Sequence, residues 1–443
     1  RQRQMCIRDR LKHISLFLLS FIISLPILSQ EAKERNQENI NVNKFRQLYQ
    51  EFSTPNMFRT ASGAPGPAYY QQQADYKMEI ELDDENKRIY GFETITYTNN
   101  SPDNLEYLWV QLDQNVRKKD SPSLLINEDR ISVAYPPSGF TKEFMTDPFD
   151  GGFNIESVVD ENKNPIKHII NQTMMRVDLP SVLKSGEKFS FSIKWWYNIQ
   201  DHVNQDGRSG YETFEKDGNR VYIIAQFFPR MAVYNEVEGW QNYQFWGDGE
   251  FALPFGNYDV KITVPSDHIL DATGELQNRK NIFSKDMMKR FNKAKKTYDK
   301  PVMIVTQAEA EEAEKGFSKK KKTWHFQAEN VRDFAFATSR KFIWDMMAVK
   351  IGNKDVMAVS MYPKEGNPLW EDYSTVVVAE SLKTYSDYTF DYPYHKAISV
   401  HAKQIGMEYP MICFNFGRPN IDGSYSDDVK FGMIGVIIHE IGH

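Results

Sequence analysis

Residues 75 to 98 read DYKMEIELDDENKRIYGFETITYT, and the period of this stretch decides which fold to expect. Tyr76, Met78, Ile80 and Leu82 fall on one side of an extended chain and Lys77, Glu79 and Glu81 on the other, because successive strand side chains point to opposite faces. Asp83-Asp84-Glu85-Asn86 supplies a turn, and IYGFETITYT resumes the alternation.

Working outward, the same pattern recurs in LEYLWVQL, MMRVDLP, KFSFSIKWWYNI, RVYIIAQFFP, YDVKITVP and KPVMIVTQ, with turn clusters such as Asn99-Asn100-Ser101-Pro102 between runs. Short strands at such spacing predict an all-β domain, an antiparallel sandwich or saddle, over residues 73–330. An aromatic content of 14%, with 23 Tyr and 29 Phe, fits, since flat stiff side chains suit a pleated surface.

From 331 the pattern changes. DFAFATSRKFIWDMM (333–347) and STVVVAESLKTYSDYTF (374–390) have apolar residues at helical spacing, while VMAVSMYP and HKAISVHAK alternate as strands, so a mixed α/β domain is expected over 331–443. The charged stretches 287–300 and 309–322 read as solvated loops or surface helices. A chain of 443 residues has room for several domains at roughly 100 to 200 residues each, which excludes a disulfide-stapled miniprotein. With Lys+Arg 54 against Asp+Glu 60 and a net charge of -6, the basic footprint of nucleic-acid binding is absent.

At the N-terminus, Arg8, Arg10, Lys12 and His13 precede an apolar run from Ile14 to Leu28, with Ser29 and Gln30 after it. Too short for a comfortable membrane span, this reads as a secretory signal peptide at about residues 11–29, behind a foreign-looking RQRQMCIRDR; residues 1–30 are set aside and 31–72 form a polar tail. Cleavage would leave Cys413 without a partner, so the expectation is a secreted or periplasmic protein without disulfides and without a stable membrane span.

The chemistry concentrates in His439-Glu440-Ile441-Gly442-His443. Residues four apart on a helix share a face, so both imidazoles reach one Zn²⁺ at about 2.0 to 2.1 Å. Glu440, rotated by about 100° from His439, flanks the metal and is placed to take a proton from a water whose pKa the metal lowers to about 7. Upstream, Ser426, Asp427 and Asp428 offer an N-cap and an acidic first turn, while Val429, Met433, Val436 and Ile437 form an apolar stripe. Such a motif arises by chance on the order of 0.01 times in a chain of this composition, against the plain alternative of two surface histidines at a helix C-terminus. About thirty residues earlier, Gln404-Ile405-Gly406-Met407-Glu408-Tyr409-Pro410 follows a strand; a Gly permits close backbone approach, and a carboxylate on a strand edge binds a cation such as a free α-amine. Taken by itself, GMEYP is equally a turn with an exposed Glu.

Together GMEY and HEIGH resemble the GxMEN and HExxH motifs of the aminopeptidase N-like zinc metallopeptidases, which include leukotriene A4 hydrolase. ITYTNNSPDNLEYLWVQL, FFPRMAVYNEVEGW, GDGEFALPFGNYDVKITVP and DATGEL look like that family's β-domain, so the resemblance runs from about residue 75 to 443. It implies a saddle-shaped β-domain followed by the first part of a thermolysin-like catalytic domain. His439 and His443 would be ligands of one Zn²⁺ and Glu440 the general base. Glu408 would recognise the substrate's free amine, Gly406 and Met407 would lie on the strand that pairs with the substrate backbone, and Gln226, in IIAQFFPR, would join the amine site. Tyr409 stands where the family has Asn. The family's third ligand, a Glu on a later helix, and its oxyanion-stabilising Tyr would fall beyond His443, so the expectation is a chain truncated just after HExxH, an inactive fragment of an aminopeptidase acting on peptides with a free N-terminus. A thermolysin-like endopeptidase, or a scaffold protein with a vestigial HEIGH, are the competing readings. Residue preference and oligomeric state are not legible.

Overall fold

The computed structural model describes residues 55–443 apart from 124–133, 135, 138, 141–144, 146–148, 206, 248, 250 and 251. The expected leader and most of the polar tail lie outside the described residues. The chain divides into two compact units, Arg1–Tyr69 and Tyr70–His443. In the first, the Asn56 side chain accepts from the backbone of Phe58 and Arg59 at 2.8 and 2.9 Å, closing a small turn. The second carries everything below.

The opening hairpin forms in the register its alternation dictates. Gln73–Asp83 pairs antiparallel with Arg88–Thr98, Gln73 opposite Thr98 and Asp83 opposite Arg88. Tyr76, Met78, Ile80 and Leu82 are all buried, so this face of the strand is the core face. Both strands belong to a seven-stranded sheet ordered Glu275–Leu276, Lys321–Val331, Gly256–Pro265, Gln73–Asp83, Arg88–Thr98, Lys188–Asn198, Asn154–Asp160. It is not purely antiparallel, as the spacing predicts: Gln73–Asp83 lies parallel to Gly256–Pro265. The chain returns to that edge only after a long excursion, and a parallel neighbour needs such a crossover. A four-stranded sheet (Arg230–Met231, Leu105–Gln111, Met174–Leu183, His168–Asn171) and another (Ile269–Ala272, Phe336–Ser339, Asn219–Ile224, Gly210–Phe214) complete this β-rich part. Its core is aromatic: Tyr76 stacks on Tyr258 at 4.8 Å and meets Phe228 edge-on at 5.4 Å, while Phe227 meets Phe336 at 5.2 Å. Phe227 and Phe228 are thereby locked, which fixes the backbone at Gln226.

A six-stranded sheet organises the remainder, ordered Val302–Val305, Ile343–Ile351, Lys354–Tyr362, Lys396–His401, Ile412–Asn415, Met407–Tyr409. The helix Leu369–Tyr388 is the crossover between the parallel strands Lys354–Tyr362 and Lys396–His401, burying Leu369, Trp370, Val378, Ala379 and Leu382. The chain recrosses the position 330/331 suggested by composition: Val302–Val305 joins the six-stranded sheet, and Phe336–Ser339 joins the β-rich part.

The helical reading of 333–347 is wrong. Those residues form the strands Phe336–Ser339 and Ile343–Ile351, covered on both faces except at Lys350. A strand buried on both sides shows no alternation, and its continuous apolar run mimics a buried helix. Lys321–Val331, masked in the sequence by its flanking lysines, is a further strand. The stretch 287–300 falls largely on the helix Lys285–Ala294, capped by Ser284, and 309–322 runs from the helix Gln307–Ala313, which Thr306 and Glu309 close with a reciprocal capping box, through a turn into the strand Lys321–Val331. Among the described residues, no helix is long and apolar enough to cross a membrane.

Candidate functional site

The motif helix spans Asp427–Gly442. Ser426 starts it, its hydroxyl accepting from Val429 N at 3.3 Å, with Asp427 and Asp428 beside the positive end of the helix dipole. Met433 and Ile437 anchor it on the core, and Glu440 is buried on the same side, while His439 and His443 are exposed. At the other end, the Tyr385 hydroxyl, from the neighbouring long helix, donates to Ile438 O at 3.0 Å. A side chain at Gly442 would collide with that phenol, its Cβ standing 2.7 Å from the oxygen.

The two imidazoles converge. His439 Nε2 and His443 Nε2 are 3.1 Å apart, with ring centroids at 4.7 Å and planes crossing at 74°. Two nitrogens each about 2.0 to 2.1 Å from a tetrahedral ion stand about 3.4 Å apart, so the pair fits a shared cation with minimal adjustment. Among the described residues, no group of three or more His, Cys, Asp or Glu side chains comes together as a complete ligand set.

Glu408 sits on Met407–Tyr409, the edge strand of the six-stranded sheet, opposite Cys413. Its carboxylate is 15% exposed, with Oε1 3.8 Å from His443 Nδ1. Gly406 precedes this strand, and the close approach it permits is that of the motif helix: a Cβ there would lie 2.7 Å from Glu440 Oε1 and 2.7 Å from Val436 Cγ2. The space in front of Gly406 is therefore filled by the protein itself and not open to a ligand.

Glu408, Glu440, His443, Met407 and Gln226 line one cavity of about 630 Å³. Three parts of the chain thus meet there: the β-rich part gives Gln226, the edge strand gives Met407 and Glu408, and the motif helix gives Glu440 and His443. His439 and Gly406 are not among the lining residues; His439 reaches the cavity through its partner imidazole, and Gly406 lies behind Glu440. Gln226 is buried and adopts φ 50, a left-handed conformation that costs a non-glycine residue about 1 to 3 kcal/mol and persists where surroundings over-determine it.

Four further lining residues, Arg230, Asp333, Cys413 and Tyr409, carry no site role in the sequence reading. Arg230 donates through Nη2 to Asp113 Oδ2 and through Nη1 to Asp333 Oδ2, both at 2.6 Å, and burial raises the Asp333 carboxyl even against Arg230's attraction. Cys413 also lines the cavity, but burial pushes its thiol up to about 12, so it is a protonated wall and not a nucleophile at neutral pH. Tyr409 turns a buried hydroxyl toward this cluster with no hydrogen-bond partner among the described residues, and burial raises its pKa. Only Tyr409 belongs to a recognisable motif; an Arg and an Asp a hundred residues apart leave no local signal.

No protein-family model matches the sequence, and a search of the curated proteins finds no match. Similar solved structures include M1 zinc metallopeptidases. The enzyme from Deinococcus radiodurans aligns with TM-score 0.48 and 13% identity over 85% of this chain and 64% of its own. A mutant of it aligns with TM-score 0.48 and 12% identity over 85% and 66%. The same mutant bound to a Tyr-Ser-Ala substrate gives TM-score 0.47 and 12% identity over 84% and 65%. The chain therefore spans just under two thirds of the length of these structures, and a likeness at this identity assigns no residue a role.

Proposed function

We propose that this chain carries the zinc-binding and amine-binding half of a metallopeptidase active site, and that the reaction is removal of the N-terminal residue from peptides. The observation that carries this reading is the convergence of the His439 and His443 imidazoles to 3.1 Å beside a cavity that Glu440 and Glu408 both line.

Held by His439 and His443, a zinc ion would supply Lewis acidity to the scissile carbonyl and lower the pKa of a water to about 7. Glu440, one position along the helix from the first ligand and buried against Gly406, is the general base: it takes the proton from the attacking water and returns it to the departing amine. Glu408 offers the α-ammonium of the substrate a carboxylate, and Gln226 an amide oxygen, which together favour a chain end over an internal peptide bond. Among the described residues Met407–Tyr409 has a ladder partner on one side only, and its other edge is the surface against which a substrate backbone would extend. The leader would place this chemistry in a periplasm or outside the cell.

Two measurements test the reading. Complete protein given an aminoacyl chromogenic amide and its N-acetylated form should cleave the first at least tenfold faster, a difference of about 1.4 kcal/mol in transition-state binding; equal rates would remove the exopeptidase assignment. Two imidazoles without a third side chain should hold zinc weakly, so residues 1–443 alone should carry well under one zinc per chain by atomic absorption. Stoichiometric zinc would mean that a further ligand closes on the metal, and Glu408, 3.8 Å from His443, is placed to be it.

A further inference from the structure

Gln226 holds its left-handed backbone at the entrance to a locked aromatic segment, and one short turn grips that segment at both ends. The turn is the 3-10 helix Asp113–Arg117, with Asp113, Gln114 and Asn115 all buried. Asp113 Oδ2 accepts from Arg230 Nε at 3.1 Å and Nη2 at 2.6 Å, four residues past Gln226. Gln114 Nε2 donates to the Gln226 carbonyl at 2.8 Å. The turn itself is tied down, since Asn115 donates to Gln172 O at 2.7 Å and accepts from Phe153 N at 2.9 Å.

The direction in which the Gln114 amide points is not arbitrary. Arg117 Nη1 donates to Gln114 Oε1 at 3.2 Å, and a guanidinium has only donors to offer. With Oε1 committed to Arg117, the amide nitrogen must face Gln226. Arg117 is itself fixed, its Nε donating to Gln200 Oε1 at 2.5 Å, while Gln200 Nε2 donates to Ser209 O at 2.7 Å. Among the described residues no carboxylate stands within 4.0 Å of this guanidinium, which is an expensive arrangement for a largely buried cation. A neutral residue would fill the space at lower cost; what Arg117 adds is a rigid donor-only fork that sets the amide.

We propose that Gln114 is a positioning residue of the amine site: oriented by Arg117, it clamps the Gln226 backbone in its left-handed conformation and thereby holds the Gln226 side chain at the cavity shared with Glu408. This rests on the reading of Gln226 and Glu408 as the amine-binding pair.

The decisive variant is Gln114→Glu. It keeps the shape of the side chain and gives Arg117 an ion-pair partner, but it has no hydrogen to donate to Gln226 O. Binding of L-leucinamide and of N-acetyl-L-leucinamide to the full chain is measured by calorimetry in zinc-containing buffer, beside the urea midpoint. The expected result is an undiminished midpoint, L-leucinamide bound roughly tenfold more weakly, and unchanged binding of the acetylated ligand, whose amine is blocked. A merely structural role would lower the midpoint and leave the ratio of the two ligands alone, and that outcome overturns the proposal. Arg117→Gln supplies a second reading that removes a buried charge and frees the amide to turn over; it should weaken L-leucinamide several-fold, and wild-type affinity would likewise overturn the proposal. Gln226→Ala separates the two layers. If it loses the discrimination while Gln114→Glu and Arg117→Gln keep it, the amine site stands and the positioning role falls. If the unaltered chain does not distinguish the two ligands, the amine site falls and takes the positioning role with it.

Discussion

Two groups of buried acids in this chain are treated in opposite ways. Around Lys341, whose side chain is 0% exposed, three carboxylates close in: Asp217 at 2.6 Å, Glu314 at 2.8 Å and Glu365 at 3.1 Å, with Lys364 adding 2.6 Å to Glu314. At the cavity, the ion-pair partner of Glu408 is an imidazole, at 3.8 Å, and Glu440 looks onto the same open space. The first group is held within the chain, two lysines facing three carboxylates, and it joins the Gly210–Phe214 hairpin to the segments that flank the six-stranded sheet. The second lines an open cavity beside two imidazoles, where a cation, whether a metal between the imidazoles or an ammonium at Glu408, would meet it. Enclosure by lysines marks structure, and acids facing imidazoles across a cavity mark chemistry.

The widest separation between the two groups should come from Glu440→Gln. It retains shape and burial but cannot accept a proton, so hydrolysis by the complete protein should fall by about 10²–10⁴-fold with the urea midpoint unmoved; a loss under tenfold in steady-state assays would strip Glu440 of its role. Lys341→Met should do the reverse. Removing Lys341 leaves Asp217 and Glu365 without their lysine and Glu314 with Lys364 alone, so stability in urea unfolding should drop by about 1 to 3 kcal/mol while L-leucinamide binding stays as it was. If the midpoint hardly moves, the cluster is not the brace described above.

Asp345 sharpens the contrast, being buried with neither lysine nor imidazole. Tyr362 donates to it at 2.6 Å and Thr375 also donates, while burial lifts its carboxyl from the model-peptide value of 3.8 to about 7, with Glu371 adding to the rise. The folded chain thus keeps a proton that the unfolded chain has already released. Stability should therefore fall as pH rises from about 4 to about 7 and level off above that, by about 2 kcal/mol between pH 5 and 7. In Asp345→Asn, denaturant midpoints taken across that range should lose this decline; an unchanged profile would mean that the carboxyl is already ionised when folded.

What was legible in the sequence depended on how far apart the cooperating residues lie. Gln73–Asp83 was readable because one face is wet and the other dry; Ile343–Ile351 was not, because both faces are covered and its apolar run carries no period. The imidazole pair was readable from a spacing of four, and Glu408 from its own short motif. Gln114 and Asp113 meet Gln226 and Arg230 across separations of 112 and 117 residues, and only the folded β-rich part brings them together. Gly406 was noticed for the right property, its missing side chain, but the neighbour that exploits it is Glu440 of the motif helix and not a substrate.

The placement of Val302–Val305 at the rim of the six-stranded sheet has a practical side. It pairs with Ile343–Ile351, so any shortened gene product begun at 331 would strip that strand of its neighbour and leave a row of bare amides and carbonyls along a largely apolar ribbon. Such a piece would gather into aggregates through that flank. A dissection aimed at the imidazole pair should begin ahead of the Lys285–Ala294 helix, keeping the rim covered.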